Sequence, residues 1–301
     1  MIFVIIVNII LIIWLYKRYI YVPSNYQGTS IEIDELDPAL LGYIENEDGN
    51  PINWILAEIL DLNRKGYIEI EYFRNDIDDY EYIMRKKEDI DITKLKKYEL
   101  TAYRYLFCEH DTEVSMSELE ERILKSIHAE KDIHVKSFSI RNEIEEELIE
   151  KNIVSPSAKA VLNILKKGYM ILILIIIFTI KNIQLTQGII LFIQSLLVVT
   201  MIFKAKPFSR EGKILYSKVK RYKKELEYNE LLKEKKIMHN ILLEKVYANS
   251  IALNIMTEAK KEFIHDELIK KSISKTAIDI AAVIYLMIYV IMYGAVFFIG
   301  K

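Results

Sequence analysis

Four nearly continuous hydrophobic runs alternate with polar segments along the 301-residue chain, at residues 2–16, 168–180, 186–203 and 277–299. A helix needs roughly 20 apolar residues to cross a bilayer. The last run is long enough alone, and the second and third together indicate a tight hairpin of two spans. The first is marginal, but Lys17 and Arg18 can snorkel at its end. The pattern predicts four transmembrane helices.

Charged flanks give these spans an orientation. Lys17 and Arg18 follow the first run, and lysines also precede the second and fourth runs and follow the third. Cytoplasmic flanks are enriched in Lys and Arg, so we expect the N- and C-termini outside the cell membrane and the long polar segments in the cytoplasm. The first run lacks the basic region and cleavage site of a signal peptide, which favours a permanent anchor.

The hydrophobic pattern divides the chain into six segments. We predict, in order, a transmembrane anchor at 1–22, a linker at 23–35, an acidic cytoplasmic module at 36–155, a transmembrane hairpin at 161–204, a basic cytoplasmic helical segment at 205–275 and a C-terminal transmembrane helix at 276–301.

The polar segment 36–155 carries alternating helix and strand patterns. A helix starts at Pro51 and ends at Gly66, with an apolar face of Ile52, Ile55, Leu56, Ile59 and Leu60. Residues 67–73 and 80–85 then alternate as two strands of a hairpin.

A second helical unit follows the hairpin. A helix over 94–108 and a capping box at Ser117 and Glu120 precede a third helix over 136–151, which leads into another short strand. Tandem helix–helix–strand units predict two winged-helix-like modules. The expected fold class is therefore mainly α with small β-hairpins: a multi-pass α-helical membrane protein with a cytoplasmic winged-helix-like α/β module.

Charge is distributed unevenly between the two polar segments. Residues 17–167 carry roughly 32 Asp and Glu against roughly 21 Lys and Arg, whereas residues 204–275 carry roughly 10 against 18. We expect the basic segment to lie close to an anionic lipid leaflet. Packing of that segment as a plain helical hairpin against the spans is an equally weighted alternative. Opposite charges of this size also predict intramolecular docking of 36–155 on 205–275.

The acidic module is a poor match to a nucleic-acid reader. Affinity for DNA depends on positive charge that meets the phosphates. The predicted recognition helix at 52–65 holds Glu58 and Asp61, and the wing tip reads RNDIDDYE. We therefore do not expect nucleic acid as a partner and expect other proteins on the cytoplasmic face, with a homo-oligomer left open.

No constellation of catalytic, cofactor-binding or metal-binding residues emerges from the sequence. Phosphate-binding glycine motifs are absent. Cys108 is the only cysteine, and its lack of a pairing partner fits a reducing compartment. Asp279 enters the last apolar run one turn from its end, which favours interfacial pairing over an ion pathway. The other groups considered are His110, His128, His134, His239, His265, Glu143, Glu146, Glu147 and Glu150.

Several stretches resemble a family of bacterial predicted membrane proteins, the domain of unknown function 2207. Pro38-Ala39 with Gly42-Tyr43, Gly66-Tyr67-Ile68 before the hairpin, FSREGKILYSKVKRY (containing Gly212) and VYANSIALNI match its motifs. The resemblance spans most of residues 14–256, and it implies no catalytic activity. Asn254 stands where the family tends to have glycine. Fuller members carry an extracytoplasmic domain ahead of the first span, which is not seen here.

Three functions compete at this level. The leading hypothesis is a non-enzymatic membrane-anchored interaction or scaffold protein. The alternative is a membrane-tethered regulator that contacts nucleic acid through the winged-helix-like module. The third, a small transporter component, suffers from the lack of paired polar groups in the runs apart from Asn8 and Gln194.

Overall fold

The computed structural model describes the backbone of residues 2–21, 31–74, 80–108, 111–128, 132–179, 185–228 and 241–255. Side chains are described over these ranges except at 2–5, 72–81, 123–138, 170–192 and 241–244. The chain forms two compact units. The bundle unit comprises Met1–Gly28, Lys151–Ile214 and Lys275–Lys301, and the sheet unit comprises Thr29–Glu150 and Leu215–Ser274.

Helices dominate both units. They are α1 (Ile2–Leu15), α2 (Pro38–Glu45), α3 (Pro51–Arg64), α4 (Lys97–Leu106), α5 (Met116–His128), α6 (Asp132–Glu150), α7 (Pro156–Thr179), α8 (Leu185–Lys204), α9 (Arg210–Glu227) and α10 (Ile241–Ala252). The strands are β1 (Ile68–Arg74), β2 (Tyr80–Lys86) and β3 (Glu113–Ser115). A π-helical turn at Tyr16–Ile20 extends α1.

The bundle unit packs α1 and α7 against α8. Its core contains Leu15 and Tyr19 from the chain start, Leu162 and Tyr169 from α7, and a group from α8 and its end, namely Val198, Val199, Ile202 and Ala205. The outward faces are also apolar: Ile10 is 60% exposed and Ile164 is 70% exposed. Large exposed apolar surfaces of this kind mark contact with lipid or with another protein.

The prediction of a multi-pass α-helical membrane protein is wrong for this structure. Within the described residues, no helix combines the length and the apolarity needed to cross a bilayer. Helix α1 has 14 residues, fewer than the roughly 20 of a span. Helix α7 starts at Pro156, and Lys159, Lys166 and Lys167 lie in its first half. The fourth run, at 277–299, lies outside the described residues.

Helix α3 forms the centre of the sheet unit. Asn50 caps its start by accepting a hydrogen bond from Ile52 N at 3.1 Å, and Pro51 occupies its first turn. Every residue from 52 to 62 is buried, including the predicted apolar face. Helices α2, α4, α6 and α10 all contact it. A helix enclosed in this way cannot enter a DNA groove as a recognition helix.

The sheet has the order β1-β2-β3 and is antiparallel throughout. The β1–β2 hairpin lies where the alternating pattern predicts it, with Ile68 opposite Lys86. Strand β3 pairs with the other edge of β2, with Val114 opposite Met84. Gly66 has a φ of +82°, which glycine adopts without strain, as the C-cap prediction requires.

The described residues do not form the predicted tandem winged-helix-like modules. Among the described residues there is one three-stranded sheet, and the predicted strand after α6 is a single bridge between Val154 and Phe208 in the bundle unit. The capping box of α5 also lies two residues earlier than predicted. Ser115 Oγ accepts from Glu118 N at 3.2 Å, and Glu118 Oε2 accepts from Ser115 N at 3.2 Å. The second predicted helix–helix–strand unit therefore has no sheet of its own among the described residues.

Helices α9 and α10 bring basic side chains into the sheet unit. Lys223 Nζ lies 3.0 Å from Glu45 Oε1, and Lys218 Nζ lies 3.7 Å from Glu32 Oε1. Helix α10 is held to α9 by a hydrogen bond from Asn249 Nδ2 to Tyr222 Oη at 3.0 Å.

Candidate functional site

A buried network of charged side chains lies where α2 begins, α3 ends and α4 begins. Its centre is Lys65, the residue that follows α3. Lys65 Nζ lies 2.8 Å from Asp37 Oδ1, 2.7 Å from Asp61 Oδ2 and 2.5 Å from Glu99 Oε1. The carboxylate side chains are between 0 and 10% exposed, and Arg64 Nε also lies 2.7 Å from Asp61 Oδ1, so three largely buried carboxylates are paired with cations.

Local sequence places each member of the network. Asp37 occupies the N-cap position of α2, directly before Pro38. Glu99 is in the first turn of α4, where its Oε2 accepts a hydrogen bond from Lys96 N at 2.6 Å. Asp61 and Lys65 are one helical turn apart on α3. Helix ends therefore supply most of the network, because caps bring polar side chains to defined positions.

Asp37 accepts further hydrogen bonds through its second oxygen. Lys96 Nζ and Tyr98 Oη each lie 2.5 Å from Asp37 Oδ2. Burial alone would raise the pKa of Asp37, but the Lys65 ammonium and these hydrogen bonds outweigh it. The pKa of this carboxyl is therefore held well below its usual range. Burial alone would lower the pKa of Lys65, but the charges of nearby carboxylates, that of Asp37 first, raise it, so Lys65 and Asp37 stay ionised.

Glu58 is the exception within the network. Its side chain is fully buried, its Oε1 accepts from Ala39 N at 2.8 Å, and its Oε2 has no hydrogen-bond partner among the described residues. Burial, and then the charges of Asp37 and Asp61, raise the pKa of Glu58 well above its ordinary value. The protonated form of Glu58 is therefore favoured, because an unpaired negative charge there would be costly.

A metal ion does not fit this arrangement as it stands. Oxygens of Asp37, Asp61 and Glu99 lie within 4.8 Å of one another, which is the spacing of a cation site. Lys65 Nζ, however, is in contact with one oxygen of each of them. The ammonium already provides the positive charge that a metal would bring, and through it the network joins three helix ends.

The residues considered at sequence level are scattered. Cys108 is exposed and free. Glu146 on α6 pairs with Lys97 at 2.9 Å, whereas Glu143 and Glu147 are half-buried and Glu150 is exposed. Histidines 110, 239 and 265 and Asp279 lie outside the described residues, as do the side chains of His128 and His134.

Sequence reasoning missed the network. It noted Glu58 and Asp61 only as charges unsuited to DNA. Their placement on an otherwise apolar helix was the signal that could have revealed it, because a carboxylate on a buried face requires a partner.

The bundle unit contains a smaller polar group. Tyr169 Oη lies 3.5 Å from Asn8 Oδ1, and Asn8 and Ser195 are both buried. Gln194 Oε1 and Ser195 Oγ lack hydrogen-bond partners among the described residues. These groups carry no ionisable carboxylate or base, so they offer no proton pathway on their own.

A mainly helical chain with a small sheet and exposed apolar helix faces has the features of a membrane-associated protein. The family model described as predicted membrane protein (DUF2207), C-terminal domain, matches residues 32–263. This match covers most of the chain, so the chain belongs to that family of membrane proteins, and the resemblance seen in the sequence is confirmed. No curated protein and no solved structure matches the chain.

The family motifs have structural reasons in this chain. A Cβ at Gly42 would lie 2.5 Å from Trp54 Cδ1 and 2.7 Å from Ala252 O, so only glycine lets α2 and α10 approach. Asn254 has a φ of +54°, a left-handed conformation that favours glycine and that asparagine tolerates better than most residues. The substitution of asparagine for the usual glycine therefore keeps the local backbone.

Glu58→Gln is expected to change how stability depends on pH. Because the folded state raises the pKa of Glu58, folding takes up a proton above the usual glutamate pKa of about 4.3. The free energy of unfolding of the wild type should then fall as pH rises from about 5 upward, by up to about 1.4 kcal/mol per pH unit. The Glu58→Gln variant should not lose stability in this way. At high pH its free energy of unfolding should therefore exceed that of the wild type.

Thermal unfolding of the full chain in detergent across this pH range measures the difference. Glu146→Gln, at an exposed glutamate on α6, is the matched control and should follow the wild-type profile. Parallel profiles for Glu58→Gln and the wild type would show that Glu58 is ionised in the folded protein.

Proposed function

We propose that the chain is a non-enzymatic, membrane-anchored interaction or scaffold protein. The observation that carries the proposal is the exposed apolar surface of the bundle unit, where Ile10, Ile164 and Ile193 are each at least half exposed. Such a surface supports attachment to lipid. The sheet unit is then the part that presents a protein-binding surface.

The buried network supports a structural role for the sheet unit. Lys65 and Lys96 neutralise Asp37, and Lys65 also pairs with Asp61 and Glu99. A general base or nucleophile needs access to a substrate. These groups contact one another and are buried, so we assign them to rigidity and propose no catalytic role, cofactor or metal.

Proteins are the partners that we propose for the sheet unit, in preference to nucleic acid. The enclosure of α3 leaves no recognition helix for a groove. Exposed acidic side chains on α5 and α6, such as Glu118 and Glu150, would repel phosphate. They suit a basic protein surface instead.

Photo-crosslinking in intact cells tests this assignment. A photoreactive residue at the exposed Asn142 of α6 should yield discrete protein adducts that mass spectrometry can name. The control replaces the exposed Ile164 of α7 with the same photoreactive amino acid, which should give lipid adducts. DNA recovered from Asn142 would contradict the proposal and favour the tethered regulator, and adducts to a second copy of the chain would identify a homo-oligomer as the partner.

We also propose intramolecular docking of 36–155 on 205–275. The ion pair of Lys223 with Glu45 and the packing of α10 on α3 support it. Both side chains of that pair are about one-fifth exposed, which makes it stronger than a fully solvated pair.

A charge swap between Glu45 and Lys223 tests the docking. Glu45→Lys and Lys223→Glu should each lower the free energy of unfolding by about 1 kcal/mol, because each places like charges together. The double variant should recover most of the loss. Unfolding in denaturant measures all four proteins, and additive losses in the double variant would show that the two residues do not interact.

We place the sheet unit on the cytoplasmic face of the cell membrane. The excess of Lys and Arg around the apolar runs supports this orientation. The finer prediction that both termini lie outside the cell rests on the same flanking charges alone.

The single exposed cysteine gives a direct test of this orientation. Cys108 should resist a membrane-impermeant maleimide in intact cells and react with it after permeabilisation, because the membrane would separate the two. Cys108→Ser is the control for background labelling. Equal labelling before and after permeabilisation would place the sheet unit outside, and Lys301→Cys on the Cys108→Ser background tests the C-terminus in the same way.

A further inference from the structure

A pocket of about 250 Å³ opens in the bundle unit, where the π-helical turn after α1 meets the starts of α7 and α9. Its lining includes four basic residues, Lys17, Arg18, Arg210 and Lys213, and no acidic residue. Pockets for drug-sized ligands are larger, about 300–1,000 Å³. The dimensions and charge of this pocket fit a small anionic group.

The pocket has a fixed frame. Ser155 N donates to Pro207 O at 2.8 Å and Ser209 N donates to Ile153 O at 2.9 Å, which ties the start of α7 to the start of α9. A Cβ at Gly212 would lie 2.1 Å from Ile153 O. The family motif FSREGK therefore needs its glycine for this approach, and the same motif supplies Arg210 and Lys213 to the lining.

Three of the four positive charges in the lining have no carboxylate partner in the described part of the chain. Lys17, Arg18 and Lys213 form no ion pair with a carboxylate there, and Lys213 Nζ donates to the main-chain oxygen of Arg18. Burial, and then the charge of Arg18, lower the pKa of Lys213. Cations held together without an anion repel one another, so an anionic ligand would relieve a cost that the fold already carries.

The pocket lies at the end of an apolar helix face. Ile10 and Ile13 are exposed on α1, followed by the exposed aromatic residues Trp14 and Tyr16, and Lys17 and Arg18 come next. Aromatic residues followed by basic residues are typical of the headgroup level of a bilayer. This sequence of surfaces favours a lipid headgroup over a soluble phosphate ester.

We propose that this pocket binds the phosphate of an anionic phospholipid headgroup, with the acyl chains along the exposed apolar face of α1. Arg18 offers paired N–H donors that match phosphate oxygens, and Lys17, Lys213 and Arg210 add positive charge. The proposal rests on the membrane attachment proposed above and adds a specific lipid class to it.

Native mass spectrometry of the purified full chain in neutral detergent tests the site. The wild type should retain one phosphatidylglycerol at concentrations at which phosphatidylcholine is not retained. Arg18→Gln with Lys213→Gln should weaken retention by at least about tenfold, because hydrogen bonds to charged groups are lost. Lys167→Gln with Lys204→Gln removes the same charge from exposed positions of the same unit outside the pocket, and it should retain the lipid.

The outcomes separate this proposal from its rivals. If both double variants lose phosphatidylglycerol equally, binding depends on net charge alone and the proposal is overturned. If the wild type retains phosphatidylglycerol and phosphatidylcholine equally, the proposal is also overturned. Displacement of the lipid by millimolar inorganic phosphate would overturn the lipid assignment in favour of a soluble phosphate ligand. If the double variant in the pocket unfolds, Lys17→Gln at an exposed position should reproduce the loss in part. Flotation of the wild type with vesicles of pure phosphatidylcholine tests membrane attachment separately.

Discussion

The contacts of Lys65 are the interaction on which the sheet unit depends. Burial of α3 removes Asp61 from water, and the packing of α2 and α4 against α3 does the same to Asp37 and Glu99. Leaving such carboxylates without a cation costs several kcal/mol each in a protein interior. Only a long, flexible ammonium side chain at the end of α3 reaches all three. The helix ends must therefore assemble together, since none of them tolerates burial without the others.

Close backbone contacts at Gly42 and a left-handed turn at Asn254 also hold α2, α3 and α10 together. Gly42 admits Trp54 and the carbonyl of Ala252, and Asn254 turns the chain directly after α10. These positions bring a segment from the far end of the sequence onto α3, with Asn53 Nδ2 donating to Asn254 Oδ1 at 3.2 Å. A larger residue at position 42 would separate α2 from α10, so the family motifs are explained by sterics and do not need a reaction to account for them.

The sequence predicted local structure well and long-range structure poorly. The apolar face of α3, the C-cap at Gly66 and the β1–β2 hairpin follow from patterns within a few residues, and the structure contains them. The third strand and the network could not be read in this way, because Val114 pairs with Met84 and Asp37 meets Lys96 across 59 positions. The hydrophobic runs misled because the helices do not coincide with them: α1 has only 14 residues, and α7 begins at Pro156 and includes three lysines in its first half.

The two units differ in how clustered charges are compensated, and this contrast separates structural from binding roles. In the sheet unit, Lys65, Lys96 and Arg64 neutralise Asp37, Asp61 and Glu99, so the network needs nothing from outside. In the bundle unit, Arg18 and Lys213 lie together with no carboxylate in the pocket lining. A cluster satisfied by its own protein gains little from a ligand, whereas a cluster of like charge gains from any anion that reaches it. The basic pocket, more than the larger and more conspicuous acidic network, is therefore the place in this chain where an external ligand would lower the free energy most.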